Sequence, residues 1–494
     1  MIDTAALRSK IIDLAIQGKL TEQLPTDGNA EDLYQQIQAE KAQLIKDKKI
    51  KKEKPLPEIT ADEIPFEIPA NWKWVRLRDI VQIINGDRGK NYPAKSTLSH
   101  EGIPFISALN LNGDGITEDD RLLCLTDEQY NRLGSGKLER NDIVICIRGS
   151  IGKHGRYPYD KGAIASSLVI CRPYIYLDEI GCFIMKWLKS YLFVNEIGKY
   201  DGGSAQPNLA ADNLKKFLVP LPTLSEQKRI VAKLDEVLTE IKIIDELQSQ
   251  YASNVDVLKS KIIDAGIRGQ LTEQLPEDGT AEELYQTIQT EKAQLIKDKK
   301  IKKEKPLPEI TADEIPFEIP DNWKWVRLRD VCRKIVDGDH NPPAGIKQPT
   351  DYMMLSARNI NDDKIIDIEN VRYLTKEVFE EENKRTNLEI GDVLLTIVAT
   401  LGRSCVYREQ YNVCFQRSVC VITTLLDSDF LKRVFDAGFI QKLMVEGATG
   451  AAQPGFYLNK VEKMCIPVPP LSEQKRIVAK INDVFGALDE RDRL

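Results

Sequence analysis

Only three histidines, His100, His154 and His340, occur among 494 residues, too few for a histidine-rich metal site. The nine cysteines are scattered without a CxxC spacing. That excludes a zinc ribbon or a disulfide framework and leaves reduced thiols. No apolar run approaches the roughly 18 residues of a membrane span. The opening "MIDTAALRSK" also lacks the apolar stretch of a secretory signal, so the cytoplasm is the expected location. Signatures of catalysis are missing too. There is no GxGxxG cofactor turn, and "LGSGKLE" has Asn131 where a phosphate loop needs its first glycine and Leu138 in place of the magnesium-binding hydroxyl. "HNPPAG", His340 to Gly345, contains Asn-Pro-Pro, but Ala344 stands where an adenine methyltransferase needs an aromatic ring to stack the extruded base. A net charge of −7 argues against coating nucleic acid by bulk charge.

What the chain has in abundance is itself. "SEQKRIVAK" occurs at Ser225 to Lys233 and again at Ser472 to Lys480. Leu20 to Ile80 aligns without a gap on Leu271 to Val331, and the two blocks differ at only seven places. Between the repeated blocks lie two stretches, roughly 81 to 220 and 332 to 467, that share only scattered positions. A length of 494 residues exceeds what one core usually organises, so two large units are expected.

Ser225 reads as a helix N-cap, with Glu226 at the dipole-favoured first turn and Pro220 and Pro222 stopping any earlier helix. From there Ile230, Leu234, Val237, Ile241, Ile244, Gln248, Tyr251, Val255, Leu258 and Ile262 recur at heptad spacing. At about 1.5 Å per residue such a helix spans roughly 60 Å, too long to be buried in one small domain. Its partner comes from the termini. Ile477, Ile481, Val484 and Leu488 at one end and Leu7 and Ile11 at the other continue the same seam, so the two ends together make a second copy of the central helix. The chain is a circular two-fold repeat cut once, and antiparallel pairing of the two helix copies is expected. The basic run "KAQLIKDKKIKKEK", at Lys41 to Lys54 and Lys292 to Lys305, reads as a solvated helix end and linker.

The divergent stretches keep common landmarks, which suggest one fold used twice. "PFISALNLN" faces "MMLSARNIN", and "NDIVICIRGSIGKHGRY" faces "GDVLLTIVATLGRSCVY". The second pair reads as a strand followed by a glycine-containing turn that carries a cation, Lys153 or Arg403. "GGSAQPNL" and "ATGAAQPGF" place Gln206 and Gln453 in loops. Asn and Gln fit adenine and Arg fits guanine bidentately, so such loops can reach base edges, though the same loops also read as plain turns.

These features together resemble the DNA specificity subunits of type I restriction-modification systems. The resemblance rests on "PLPTLSEQKRIVAKLDEVL" and "PVPPLSEQKRIVAKINDVF", on "PFEIPANWKWVRLRDI" and "PFEIPDNWKWVRLRDV", on the two Gln-Pro loops, and on a circular repeat covering essentially the whole chain. It implies an α+β chain with two similar α/β target-recognition domains at residues 63–223 and 314–470. Conserved helical regions are then expected at 1–62, 224–313 and 471–494, pairing as an antiparallel coiled coil. It also implies a non-catalytic protein that reads a bipartite, asymmetric site on double-stranded DNA, one half per domain. Two modification subunits and the restriction subunits are the implied protein partners; S-adenosylmethionine, ATP and magnesium belong to those partners and not to this chain. The residues expected to meet DNA are Arg88, Lys90, Asn110, Asn112, Arg148, Lys153, Gln206 and Asn208 in the first domain. In the second they are His340, Arg358, Asn359, Asn361, Arg403, Arg417 and Gln453.

Overall fold

The computed structural model describes residues 1–200, 208–361, 363–408, 411–450 and 453–493. The chain divides into two compact units, one comprising residues 2–248 and the other residues 249–494 with Met1. The division falls within a helix that runs Leu224–Ile267.

The first unit carries a four-stranded antiparallel sheet ordered Val81–Asn85, Leu168–Pro173, Ile143–Cys146, His154–Arg156. The strand "IVIC" is buried throughout, because both faces of the sheet are covered. Ile143 and Ile145 pack with Phe183, Ile184 and Trp187 of the Asp178–Trp187 helix. Val144 and Cys146 point the other way, into a second core with Ile106, Leu138 and Ile164. That core is roofed by a second four-stranded sheet, in which Ile103–Ile106 and Gly162–Ile164 run parallel. The period-2 alternation of side chains thus feeds two cores from one uninterrupted apolar run.

The second unit repeats the plan with different residues. Its four-stranded sheet is ordered Cys332–Asp337, Val419–Thr424, Val393–Thr396, Ser404–Val406. Val393 and Leu395 face helices, while Leu394 faces a core with Met353 and Phe415. There Tyr352–Leu355 and Asn412–Phe415 again run parallel. In both units the "KWVR" strand closes the domain by pairing with the strand just before the SEQKRIVAK helix, Trp74 opposite Pro220 and Trp325 opposite Pro467.

The repeated nonapeptide is a buried latch. Glu226, fully buried, accepts hydrogen bonds from Trp72 Nε1 at 2.7 Å, Gln23 Nε2 at 2.8 Å and Thr21 Oγ1 at 3.4 Å. Gln227 Nε2 donates to the Pro222 carbonyl, and Arg229 pairs with Asp27. In the second unit Glu473 takes Trp323, Gln274 and Thr272, Gln474 takes the Pro469 carbonyl, and Arg476 takes Asp278. The nine residues recur because the nearly identical blocks 20–80 and 271–331 present the same partners to each copy. The cap differs from the expectation. The helix starts at Leu224, and Thr223 Oγ1 accepts from the Glu226 N–H, so Ser225 lies inside the first turn and its hydroxyl donates to Asp27 instead.

Each unit contains its own antiparallel helix pair. In the first, Ile2 N donates to Gln248 Oε1, Thr4 and Arg8 both engage Asp245, and Thr21 reaches Glu226 at the other end. In the second, Lys259 pairs with Asp489, while Gly266 lies against Ile477 and Ile481. Of the expected seam positions Ile230, Leu234, Ile241 and Val255 are buried, Val237, Ile244, Gln248 and Ile262 are half-buried, and Tyr251 and Leu258 are exposed, while in the last turns burial passes to Ile263 and Ile267. The buried face therefore drifts away from the strict heptad register by the last turns, as the 3.6-residue turn of a straight helix requires. The basic runs are exposed from Lys51 to Lys54 and from Lys302 to Lys305.

Candidate nucleic-acid interface

At one rim of each unit, loops far apart in sequence are tied edge to edge by backbone hydrogen bonds. In the first unit Gly86 N donates to Leu168 O, Ala165 N to Ile106 O, Ile147 N to Ser167 O and Leu209 N to Ile147 O. In the second, Gly338 N donates to Val419 O, Gln416 N to Leu355 O, Ile397 N to Ser418 O and Phe456 N to Ile397 O. The same five loops meet in the same order, so the rim is one frame built twice.

The frame is held by local sequence. Gly152 and Gly402 adopt φ of 83° and 81°, which only glycine takes up without strain, and each is followed by the cation of its turn, Lys153 or Arg403. Ala108–Asn110 and Ala357–Asn359 form matching 3-10 turns. In each, an asparagine Oδ1 accepts the backbone N–H of the preceding serine, Ser107 at 2.9 Å and Ser356 at 3.0 Å. In the 86–92 loop, the Asp87 carboxylate accepts N–H groups from Gly89 and Gly134, both at 2.7 Å, and these donors hold its pKa below the ordinary aspartate range.

The residues expected to meet nucleic acid distribute over this frame as follows. Arg88, Lys90, Asn112, Arg148, Lys153 and Asn208 are exposed on the first rim. Arg148 Nε donates to Asn208 Oδ1 at 3.2 Å, Lys153 Nζ to the Ala108 carbonyl at 3.3 Å and Arg88 Nη2 to the Ser166 carbonyl at 3.3 Å. These acceptors are uncharged, which leaves the positive charges available to an incoming polyanion. Elsewhere in the unit arginines are consumed by carboxylates, Arg76 by Glu63 and Arg172 by Asp142. Asn112 Oδ1 accepts from Asp114 N and Gly115 N, closing a turn.

On the second rim His340, Arg358, Arg403, Arg417 and Gln453 are exposed, and Asn361 is half-buried in a short strand paired with Lys364. Arg358 donates to the Asn370 carbonyl. His340 Nε2 lies 2.7 Å from Asp337 Oδ2, and Arg385 shares that carboxylate. Gln206 lies outside the described residues.

Two expectations are corrected. Asn110 and Asn359 are each only 1 % exposed and serve as caps inside their own turns. Neither can present an edge to a base. The sequence suggested otherwise because Ser-x-x-Asn reads equally as a polar loop and as a capped turn. The loop 165–167, absent from the expected set, is the counterpart of 416–418 and joins the other loops of the first rim. Its signal was the match of Ser167 with Ser418, each opening an apolar strand.

No described helix is long and apolar enough to cross a membrane. Among the described residues no group of three or more His, Cys, Asp or Glu side chains is arranged to hold a metal ion.

Comparison with known proteins gives a consistent picture. The sequence model of the type I restriction modification DNA specificity domain matches twice, at residues 69–250 and 320–492. The type I restriction enzyme EcoEI specificity subunit of Escherichia coli is 26% identical over 98% of this chain and 89% of its own length. The EcoAI specificity subunit, also from Escherichia coli, is 30% identical over 66% of this chain and 62% of its own length. A chain from a solved structure concerned with complex assembly and conformational transition of the type I R-M system shares the fold. Its TM-score is 0.57 at 17% identity, over 87% of this chain and 94% of that one.

Proposed function

The chain belongs to the type I restriction-modification DNA specificity family, and from that premise we propose that its two loop rims are the surfaces that read DNA, each taking one half of a bipartite, asymmetric site. Members of the family recognise DNA and are not themselves catalytic. One observation carries the assignment to the rims: a common backbone frame, fixed by the same capped turns and loop-to-loop hydrogen bonds, displays different side chains in the two units. A constant frame with changed display is what two recognition domains with different targets require.

On this reading Arg88, Lys90, Arg148 and Lys153 in the first unit, and Arg358, Arg403 and Arg417 in the second, supply phosphate contacts and guanine recognition. Asn112, Asn208, Asn361, His340 and Gln453 supply further polar contacts, and Gln206 belongs to the same set. Residues 63–223 and 314–470 are the recognition domains. The segments 1–62, 224–313 and 471–494 form the helical framework that docks two modification subunits and, through the assembled complex, the restriction subunits. S-adenosylmethionine, ATP and magnesium act on those partners. The setting is the cytoplasm, where such a complex meets DNA.

Charge removal on one rim tests the assignment. The double variant Arg148→Ala, Lys153→Ala should weaken binding of the assembled complex to any duplex. If both cations touch phosphate, the slope of log K against log salt should flatten by about two, roughly 0.9 per lost contact. An unchanged slope and affinity would remove this rim from the interface.

A further inference from the structure

The tip of the capped 3-10 turn occupies equivalent places in the two rims, yet the residue displayed there differs. Leu109 stands in the first unit and Arg358 in the second, each directly before its capping asparagine. Leu109 is 60% exposed. It is held on a rigid mount: its own N–H donates to Ser107 Oγ, Asn110 Oδ1 accepts from Ser107 N, and Lys153 Nζ donates to the Ala108 carbonyl beside it. An apolar side chain standing out beside the ammonium of Lys153 has no use for a phosphate.

We infer that this turn tip is a specificity position, and that Leu109 recognises the 5-methyl group of a thymine in the half-site read by the first unit. The inference rests on the proposed DNA-reading role of the rims. In the major groove thymine alone presents a methyl group, and apolar side chains contact it there. The equivalent Arg358 carries the fork that fits guanine O6 and N7 in the same groove. Leucine and arginine on one mount are thus two settings of a single base-reading position. A wedge between unstacked bases would take the leucine but not the arginine.

The test uses the chain assembled with its modification subunits, and duplexes in which each thymine of the first half-site is replaced singly by uracil, which lacks only the methyl. One replacement should lower the affinity of the wild-type complex by about threefold to tenfold, the scale of one methyl buried from water. That replacement should be silent in Leu109→Ala, whose affinity for the thymine duplex should already be reduced to the same level. Leu109→Arg should shift the preference at that base pair toward guanine. Uracil without effect at every thymine overturns the inference, as does an equal effect in wild type and Leu109→Ala. So does a uniform loss in Leu109→Ala across all duplexes. The Arg148→Ala, Lys153→Ala variant separates the two levels: if it weakens every duplex while uracil is silent, only the thymine contact is lost, and if it too is silent, the rim assignment falls with it.

Discussion

Glu226→Ala should loosen the first unit and leave the second intact. The buried carboxylate accepts three hydrogen bonds, and its removal strands the indole N–H of Trp72, itself buried, whereas the exposed Gln23 keeps its bonds to the Gly18 and Thr21 carbonyls. Hydrogen bonds to a charged group contribute about 1.5–3 kcal/mol, and an orphaned buried donor costs about 1–3 kcal/mol. These terms overlap, so a net loss of about 2–4 kcal/mol is expected, a large part of the stability of an ordinary domain. Glu226→Gln keeps one oxygen acceptor but turns an NH2 group toward donors, and should lose about 1–3 kcal/mol. Hydrogen exchange read by mass spectrometry localises the effect. Residues 20–28, 72–76 and 224–230 should exchange faster, whereas 271–279 and 323–327, which surround the intact Glu473 copy, serve as an internal control. Unchanged exchange in the first set would refute the latch, and equal acceleration in both sets would refute its local character.

Three further outcomes are expected. The Arg229 guanidinium holds the Asp27 carboxyl at about 2 against an ordinary 3.8. Because the folded value is the lower one, the pair stabilises fully above about pH 4 and loses its contribution as pH falls toward 2. Melting curves of Arg229→Gln should therefore lie below wild type at pH 7 and converge with it near pH 2, and a constant gap would contradict the pairing. Inserting four residues after Gln248 lengthens the helix by about 6 Å against about 3.4 Å per base pair, and keeps its face nearly in phase. The gap between half-sites should widen by one or two base pairs, and an active variant with an unaltered gap would show that the helix does not set the spacing. The purified chain alone should neither methylate nor cleave DNA and should support methylation only with modification subunits and S-adenosylmethionine; methyl transfer by the chain alone would overturn that division of labour.

The circular repeat, the long helix and the doubling of one fold were legible because they are written as identity and periodicity. SEQKRIVAK announced itself, although its purpose emerged only when Glu226 met Trp72, Gln23 and Thr21, residues some 150 to 205 positions away. Single positions were less legible. Asn110 and Asn359 looked like readers of bases and are caps, since asparagine serves both roles and only burial separates them. Leu109 carries no signal of its own, since a single exposed leucine is ordinary in a sequence. Its equivalence to Arg358 carries meaning only once the two turns are matched by their caps.

The central claim, that each unit reads its own half-site, is tested most directly by mapping methylated positions in a host carrying a chain whose residues 81–220 come from another member of the family. The account predicts that one half of the methylated motif changes to that of the donor while the other half and the gap between them stay as they were. A change in both halves, or in neither, would contradict it.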